Sequence, residues 1–562
     1  MNSCGWSRNP KLPNGMAATS RPEDERPRNT ASCPQPSIEP FGPPSETDMK
    51  VLHMTSVIRQ YTKKLPGNVL NRVERVGNRL PHPFILFLYM AVAIAILSLI
   101  ASLAGATVID PKSQEQVDIQ NLLSADGLEF ALTTMLDNFL SFPPLGLVIV
   151  MLLGVGLANQ VGLLEIAFKA IVVRASPRML TFVVIFVGIV SNIASESAAI
   201  VIPPLAAMLF LAVGRHPIAG LAAGFGAVGA GFSANFIVAG TDVLLSGITT
   251  SAAGIVDSSV VVTPVSNWYF MSASTLILTI VGVLITEKVV EPRLGPYDGS
   301  GSDRDNSEFL ITADQRRGLR NAGLVALLYA AVVIALVAPP NAALRGEDGS
   351  IITSPFMDSL VPIIFLFFVS VGITYGIAVG TITSSSDVPK LMIESAKDLA
   401  GILVLVFAVA QTIAYFQWTN LGLWVAVQGS GLLEALDVDG VVALIMLSLV
   451  TIVLSLVISS GSALWAVMAP VFVPMMMLHD VNPAYAQLAY RIADSSTNML
   501  VPLSPILAVA LGYIQKYDKR AGVGTVFALM IPYAATFYLI WMLQFVVWTV
   551  FGLPIGPGEY LN

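Results

Sequence analysis

The sequence predicts an all-α polytopic membrane protein of two repeated halves, each containing a broken helix. Three observations predict it. Hydrophobic residues make up 55% of the 562-residue chain and charged residues 12%, against about 25% charge in a soluble domain; mean hydropathy is +0.74. Apolar runs such as "FILFLYMAVAIAILSLIASLAGA" (84–106) and "NAGLVALLYAAVVIALVAPP" (321–340) recur, each long enough to cross a ~30 Å hydrocarbon core. Two polar, Pro- and Gly-interrupted segments occupy matching places in the two halves, and backbone can break at that depth only inside protein or along a wet cavity.

The elements follow in order. Residues 1–80 are rich in Pro, Ser, Arg and Glu and read as a cytoplasmic, disordered tail with no apolar signal core. Met16 and Met49 leave a downstream start open. Cys4 and Cys33 both lie in this tail and build neither a disulfide framework nor a metal site. His53, His82, His216 and His479 show no zinc spacing. Lys63, Lys64, Arg72, Arg75 and Arg79 precede the first span, while the loop after it carries Asp110, Glu115, Asp118 and Asp126, so the N-terminus reads as inside. The first membrane half occupies 81–293, a polar linker 294–320 and the second half 321–562. "QKYDKR" (515–520) places the last loop inside, and the tail "GLPIGPGEYLN" has no Lys or Arg. That puts the C-terminus outside a plasma membrane crossed an odd number of times.

The halves repeat locally. "FSANFIVAGTDVLL" (232–245) aligns with "SSTNMLVPLSPILA" (495–508), matching Ser233 to Ser496, Asn235 to Asn498 and Thr241 to Ser504. Upstream, "SNIASESAAIVIPPLAAM" (191–208) and "SSGSALWAVMAPVFVPMM" (459–476) share a small-polar cluster, an apolar stretch and then proline.

Polar residues inside such a chain are functional candidates by default. Arg491 and Asp494 stand three apart on one helical face. Either Arg491 anchors a substrate carboxylate through its planar fork, with Asp494 and Asn498 at a cation site, or the two form a structural salt bridge at a helix break. Glu196 is a proton carrier or an inert, hydrogen-bonded carboxyl. Asn192, Asn235 and Asn498 offer carbonyl oxygens that suit sodium if it binds, the candidate place being near Asn235, Asp494 and Asn498. Asp242 is a weaker ion candidate that equally suits a helix cap. Trp465, between small residues, marks either a membrane interface or a hairpin tip where it stacks on an aromatic ligand. Gln411, Gln417, Trp418 and Asn420 are equally ambiguous. Gly220 and Gly224 have packing spacing. No GxSxG, HExxH or paired-Cys motif occurs, which argues against an intramembrane hydrolase; no other cofactor and no nucleic-acid stripe is indicated.

Four segments resemble the AbgT family of p-aminobenzoyl-glutamate transporters: "GRHPIAGLAAGFGAVGAGFSANF" (214–236), "AQTIAYFQWTNLG" (410–422), "GSALWAVMAPVFVPMMML" (461–478) and "AYRIADSSTNMLVPLSP" (489–505). The resemblance runs from about residue 74 to near the end. It implies a homodimer with about nine spanning helices and two re-entrant helical hairpins per subunit. It also implies ion-coupled import of p-aminobenzoyl-glutamate or efflux of sulfonamide antimetabolites, with protons and sodium both implicated. By matching position it implicates Ser462, Trp465, Pro483, Arg491, Asp494 and Pro502. The first-hairpin position, usually aspartate in the family, is Glu196 here. The expectation is a secondary transporter for an aromatic amide of glutamate: Arg491 holds a carboxylate, Trp465 stacks the aryl ring, and Glu196 or Asp494 couples to the ion. A sodium-coupled dicarboxylate carrier is the alternative, against which Trp465 argues.

Overall fold

The computed structural model describes residues 82–110, 114–194, 197–297, 311–346, 349–352, 354–501 and 504–561. Glu196, Pro502, the tail 1–81 and much of the polar linker lie outside the described residues.

Helix α1 (Pro83–Leu103) is followed by a small antiparallel ribbon, Thr107–Ile109 with Gln116–Asp118. This ribbon is an addition to the expected all-α plan; it folds the polar loop back beside the membrane region. Helices α2 (Pro144–Gln160) and α3 (Leu163–Val173) bend by 60° at Gly162, whose φ of 80° suits glycine. Then comes a hairpin, α4 (Leu180–Val190) and α5 (Ser197–Ala212), a broken helix, α6 (Pro217–Phe225) and α7 (Gly240–Ala253), and a long helix α8 (Trp268–Leu294). Helices α9 (Ala313–Val337), α10 (Leu360–Val379), α11 (Asp387–Trp418) and α12 (Leu421–Ala435) follow. The series then recurs as hairpin α13 (Gly440–Ser455) and α14 (Gly461–Met477), broken helix α15 (Pro483–Thr497) and α16 (Pro505–Gln515), and long helix α17 (Val523–Val550).

Among the described residues six helices are long and apolar enough to cross a membrane, or eight if each of the bent pairs α2–α3 and α12–α13 counts as one span. The hairpin and broken-helix segments fall short of the ~20 residues a full crossing needs. Helix α9 exposes Leu324, Leu327 and Leu328, as a helix facing lipid does.

Both broken helices start alike. His216 caps α6, accepting the Ile218 N–H at Nδ1 (3.2 Å), and Asn482 caps α15, accepting the Ala484 N–H (2.8 Å). Each is followed by proline at the first helical position, where a missing N–H costs nothing. Each start is also pinned by a carboxylate at or beyond the C-terminal end of the next long helix. Glu291 takes one edge of Arg215 with both oxygens (Nε at 2.9 Å, Nη2 at 2.5 Å), while Arg215 Nη1 donates to Thr181 at the base of α4 (2.7 Å). Glu559 accepts Ser266 Oγ (2.7 Å) and Asn482 Nδ2 (2.8 Å), clasping the C-terminal tail over the start of α15. Glu291→Gln weakens a charge-assisted, partly buried fork and is expected to cost about 2 kcal/mol, read as a lower thermal unfolding midpoint in detergent.

The halves interlock. Helix α7 packs on α14 of the second hairpin, α13 on α15, and α15 on α17. Gly220 and Gly224 do pack, as their spacing predicts: a Cβ would stand 2.6 Å from Ala206 O and from Pro203 Cα respectively.

Candidate functional site

The two helix breaks meet. The first helix ends in a wide turn, Gly226–Ala230, and the second in a tight turn, Asn498–Leu500. They touch at Gly229, where a Cβ would come within 2.0 Å of the Met499 side chain and push it aside. The Ser233 N–H donates to Ser495 Oγ (3.2 Å), joining the breaks directly. Thr497 Oγ1 donates to Ala493 O and lies 2.8 Å from Ser455 Oγ, at the end of α13. The polar run on α15 thus satisfies itself and ties together pieces of chain that lie far apart in sequence.

Arg491 sits at this junction, 2% exposed. Its ion-pair partner is Asp242 of α7: Nη2 donates to Oδ1 at 2.5 Å and to the Ser233 carbonyl at 3.2 Å. The pairing of Arg491 with Asp494 that the sequence offered does not form. Asp494 faces the start of α14 instead, its Oδ2 2.6 Å from where a Gly461 Cβ would lie. The physical reason is that Asp242 is better held. Its Oδ2 also accepts the Ala239 N–H (2.6 Å) and Asn235 Nδ2 (3.0 Å), so this carboxylate meets the guanidinium already oriented. Asp242 is therefore a helix cap, as the sequence allowed, and also the charge partner of Arg491, a role the sequence did not offer. Arg491 Nε is buried without a partner, and Nη1 reaches Asn267 Oδ1 only at 3.5 Å. Arg491 also lines a crevice with Asn235, Val238, Asp242, Pro264, Asn267, Trp268 and Met271, too narrow here for a water molecule.

A hydrogen-bonded chain leads from Arg491 to Trp465. Asn267 Oδ1 accepts Gln487 Nε2 (2.9 Å), Gln487 Oε1 accepts Thr249 Oγ1 (2.6 Å), and Thr249 Oγ1 accepts Trp465 Nε1 (2.9 Å). The Trp465 ring is fully buried and lies against Tyr490, centroids 4.6 Å apart; the Tyr490 hydroxyl donates to Gly461 O. Trp465 is thus four residues inside α14, with one face covered, rather than at an open tip. Ser462 is half-buried, 3.4 Å from Ser460. Pro483 opens α15 and is buried. Asn192 is buried at the end of α4, its amide donating to Ile189 O while Oδ1 has no partner. Asn235 is committed to Asp242, and Asn498 is half-buried at the second break. Among the described residues no group of three His, Cys, Asp or Glu side chains could hold a metal ion. Sequence reasoning passed over Asn267, Gln487 and Thr249. Gln487 lies one turn before Arg491 on the same face of α15, and that was the available signal.

Repeated hairpins and broken helices around a buried arginine define a multi-pass membrane transporter. The chain belongs to the AbgT putative transporter family, whose family model matches residues 68–562. It is 43% identical over 495 residues to the p-aminobenzoyl-glutamate transport protein of Escherichia coli (strain K12), covering 88% of this chain and 97% of that one. The structure of the Alcanivorax borkumensis YdaH transporter, described as having an unusual topology, superposes with a TM-score of 0.81 at 39% identity, covering 85% of this chain and 100% of that one. Neisseria gonorrhoeae MtrF, described as illuminating a class of antimetabolite efflux pumps, superposes with a TM-score of 0.83 at 40% identity, covering 87% and 100%.

Proposed function

We propose that this protein is an ion-gradient-coupled secondary transporter of p-aminobenzoyl-glutamate and related aromatic antimetabolites across the inner membrane, working as a homodimer with its N-terminus inside. One observation carries the reading: a buried guanidinium keeps its Nε without a partner, and the residue lines a crevice otherwise formed by the first half. A planar carboxylate bonds Nε with one oxygen, and with both oxygens in parallel once Asp242 gives up Nη2. The glutamate end of the substrate would dock there. The aryl end would lie toward Trp465, meeting the indole as α14 draws away from α15. Ser462, Pro483 and Pro502 would shape the hairpin and helix starts around it. Glu196, Asp494, Asn192, Asn235 and Asn498 are the groups we assign to the ion side, and sodium, if it serves, would sit among the amides and Asp494. The narrowness of the crevice supports a site that must open to load, as alternating access requires.

The test is uptake of labelled p-aminobenzoyl-glutamate into proteoliposomes under an imposed proton or sodium gradient. Saturable accumulation that follows one gradient, and that a sulfonamide inhibits, is the expected result. Equal flux with no gradient, or accumulation of succinate in place of the labelled substrate, would overturn it.

A further inference from the structure

The geometry points to Asp242 as the residue that couples substrate to a monovalent cation, by releasing its share of Arg491 when a substrate carboxylate arrives. This rests on the reading of Arg491 as the carboxylate anchor. Asp242 is 3% exposed, and its two oxygens face different ways. Oδ2 belongs to the first half, held by Ala239 N–H and Asn235 Nδ2. Oδ1 reaches across to Arg491 of the second half at 2.5 Å. The pair therefore bridges two broken helices, and its single positive charge is already balanced.

A carboxylate docking on the Nε edge becomes a second anion on one guanidinium. Nothing nearby offsets it. Helix α7 carries no ionisable residue besides Asp242, and α2 and α14, which pack on it, carry none. Helix α15 adds Tyr485, Tyr490 and Asp494 to Arg491, with the two tyrosine hydroxyls donating to Leu553 O and Gly461 O. These four helices hold one basic side chain in all, Arg491. An uncompensated buried charge is strongly disfavoured. The carboxylate that docks on Arg491 must then bring a cation: a proton taken up on Asp242, or a sodium ion beside it. Asp494, which the sequence favoured for coupling, faces Gly461 and does not share the guanidinium. Linkage is reciprocal, so the cation that allows the substrate to bind is itself held by the substrate.

The experiment is equilibrium binding of labelled p-aminobenzoyl-glutamate to the purified full-length protein. One arm titrates sodium at fixed pH; the other titrates pH without sodium. Wild-type affinity is expected to rise about tenfold in one arm, and that arm identifies the cation. Asp242→Asn keeps the shape and removes the charge, so it should bind at the cation-saturated affinity and vary less than about twofold in both arms. Asp242→Asn with the full wild-type dependence, or a wild type indifferent to both ions, overturns the assignment. Should Asp242→Asn fail to fold, Asn235→Ala removes one donor from Oδ2 and should shift the half-saturating cation concentration about threefold, downward for a proton, which Asp242 then holds more tightly, and upward for sodium, which loses an amide ligand; an unmoved midpoint overturns it. Arg491→Gln separates the two readings: binding equal to wild type defeats the anchor, whereas lost binding leaves coupling to be decided by Asp242→Asn and Asn235→Ala.

Discussion

Arg491→Ala is expected to destabilise the protein by about 3–5 kcal/mol and to abolish uptake. The loss is large because the substitution does not delete an interaction cleanly. It leaves the Asp242 carboxylate buried at 3% exposure with no counter-charge, and it removes the donor to the Ser233 carbonyl at the first break. The double variant Arg491→Met with Asp242→Leu separates stability from transport. Removing both charges together restores an apolar contact of similar volume, and such replacements are often neutral. Thermal unfolding in detergent should show a low midpoint for Arg491→Ala and partial recovery for the double variant, in which leucine no longer accepts the Ala239 N–H or Asn235 Nδ2. Uptake should be absent in both, because neither retains a fork for the carboxylate. An Arg491→Ala midpoint equal to wild type would mean that the pair is not the fastener of the two halves.

The architecture was legible where local chemistry writes it. The X-Pro starts at His216–Pro217 and Asn482–Pro483 were written there and passed over, whereas the packing role of Gly220 and Gly224 and the broken helix at the Ser-Ser-Thr-Asn run both read correctly from neighbouring residues. The partner of Arg491 did not. Spacing on one helix favours Asp494, three residues away, but the carboxylate that pairs with it lies 249 residues away. Periodicity reports which face a residue occupies, not which distant element covers that face. Trp465 shows the same limit. Its Gly and Ser neighbours suggest an open tip, yet those small residues let α14 and α15 approach closely, and the indole is buried by that approach. The Asn267–Gln487–Thr249–Trp465 chain crosses between halves three times, so no window of sequence contains it. The Glu559 clasp draws on a tail that carries charge and turn residues and no apolar pattern.

Trp465→Ala carries the second large effect, about 3–5 kcal/mol, from a cavity at a fully buried ring. Trp465→Phe is the sharper variant. It keeps an aromatic face on Tyr490 but removes the Nε1–H that Thr249 accepts at 2.9 Å, and losing that donor is expected to cost about 1–2 kcal/mol. Thr249 is the next link toward Gln487 and Asn267, and Asn267 lies beside the guanidinium. A looser Thr249 therefore loosens the edge of Arg491 that meets substrate. Trp465→Phe should raise the KM for uptake more than it lowers the maximal rate, since it disturbs substrate placement and leaves the charge pair intact. Thr249→Val breaks the same chain at the adjoining residue, so combining it with Trp465→Phe should add little to either change alone. Additive losses would show that Trp465 acts through its own contact with substrate and not through the chain that ends at Arg491.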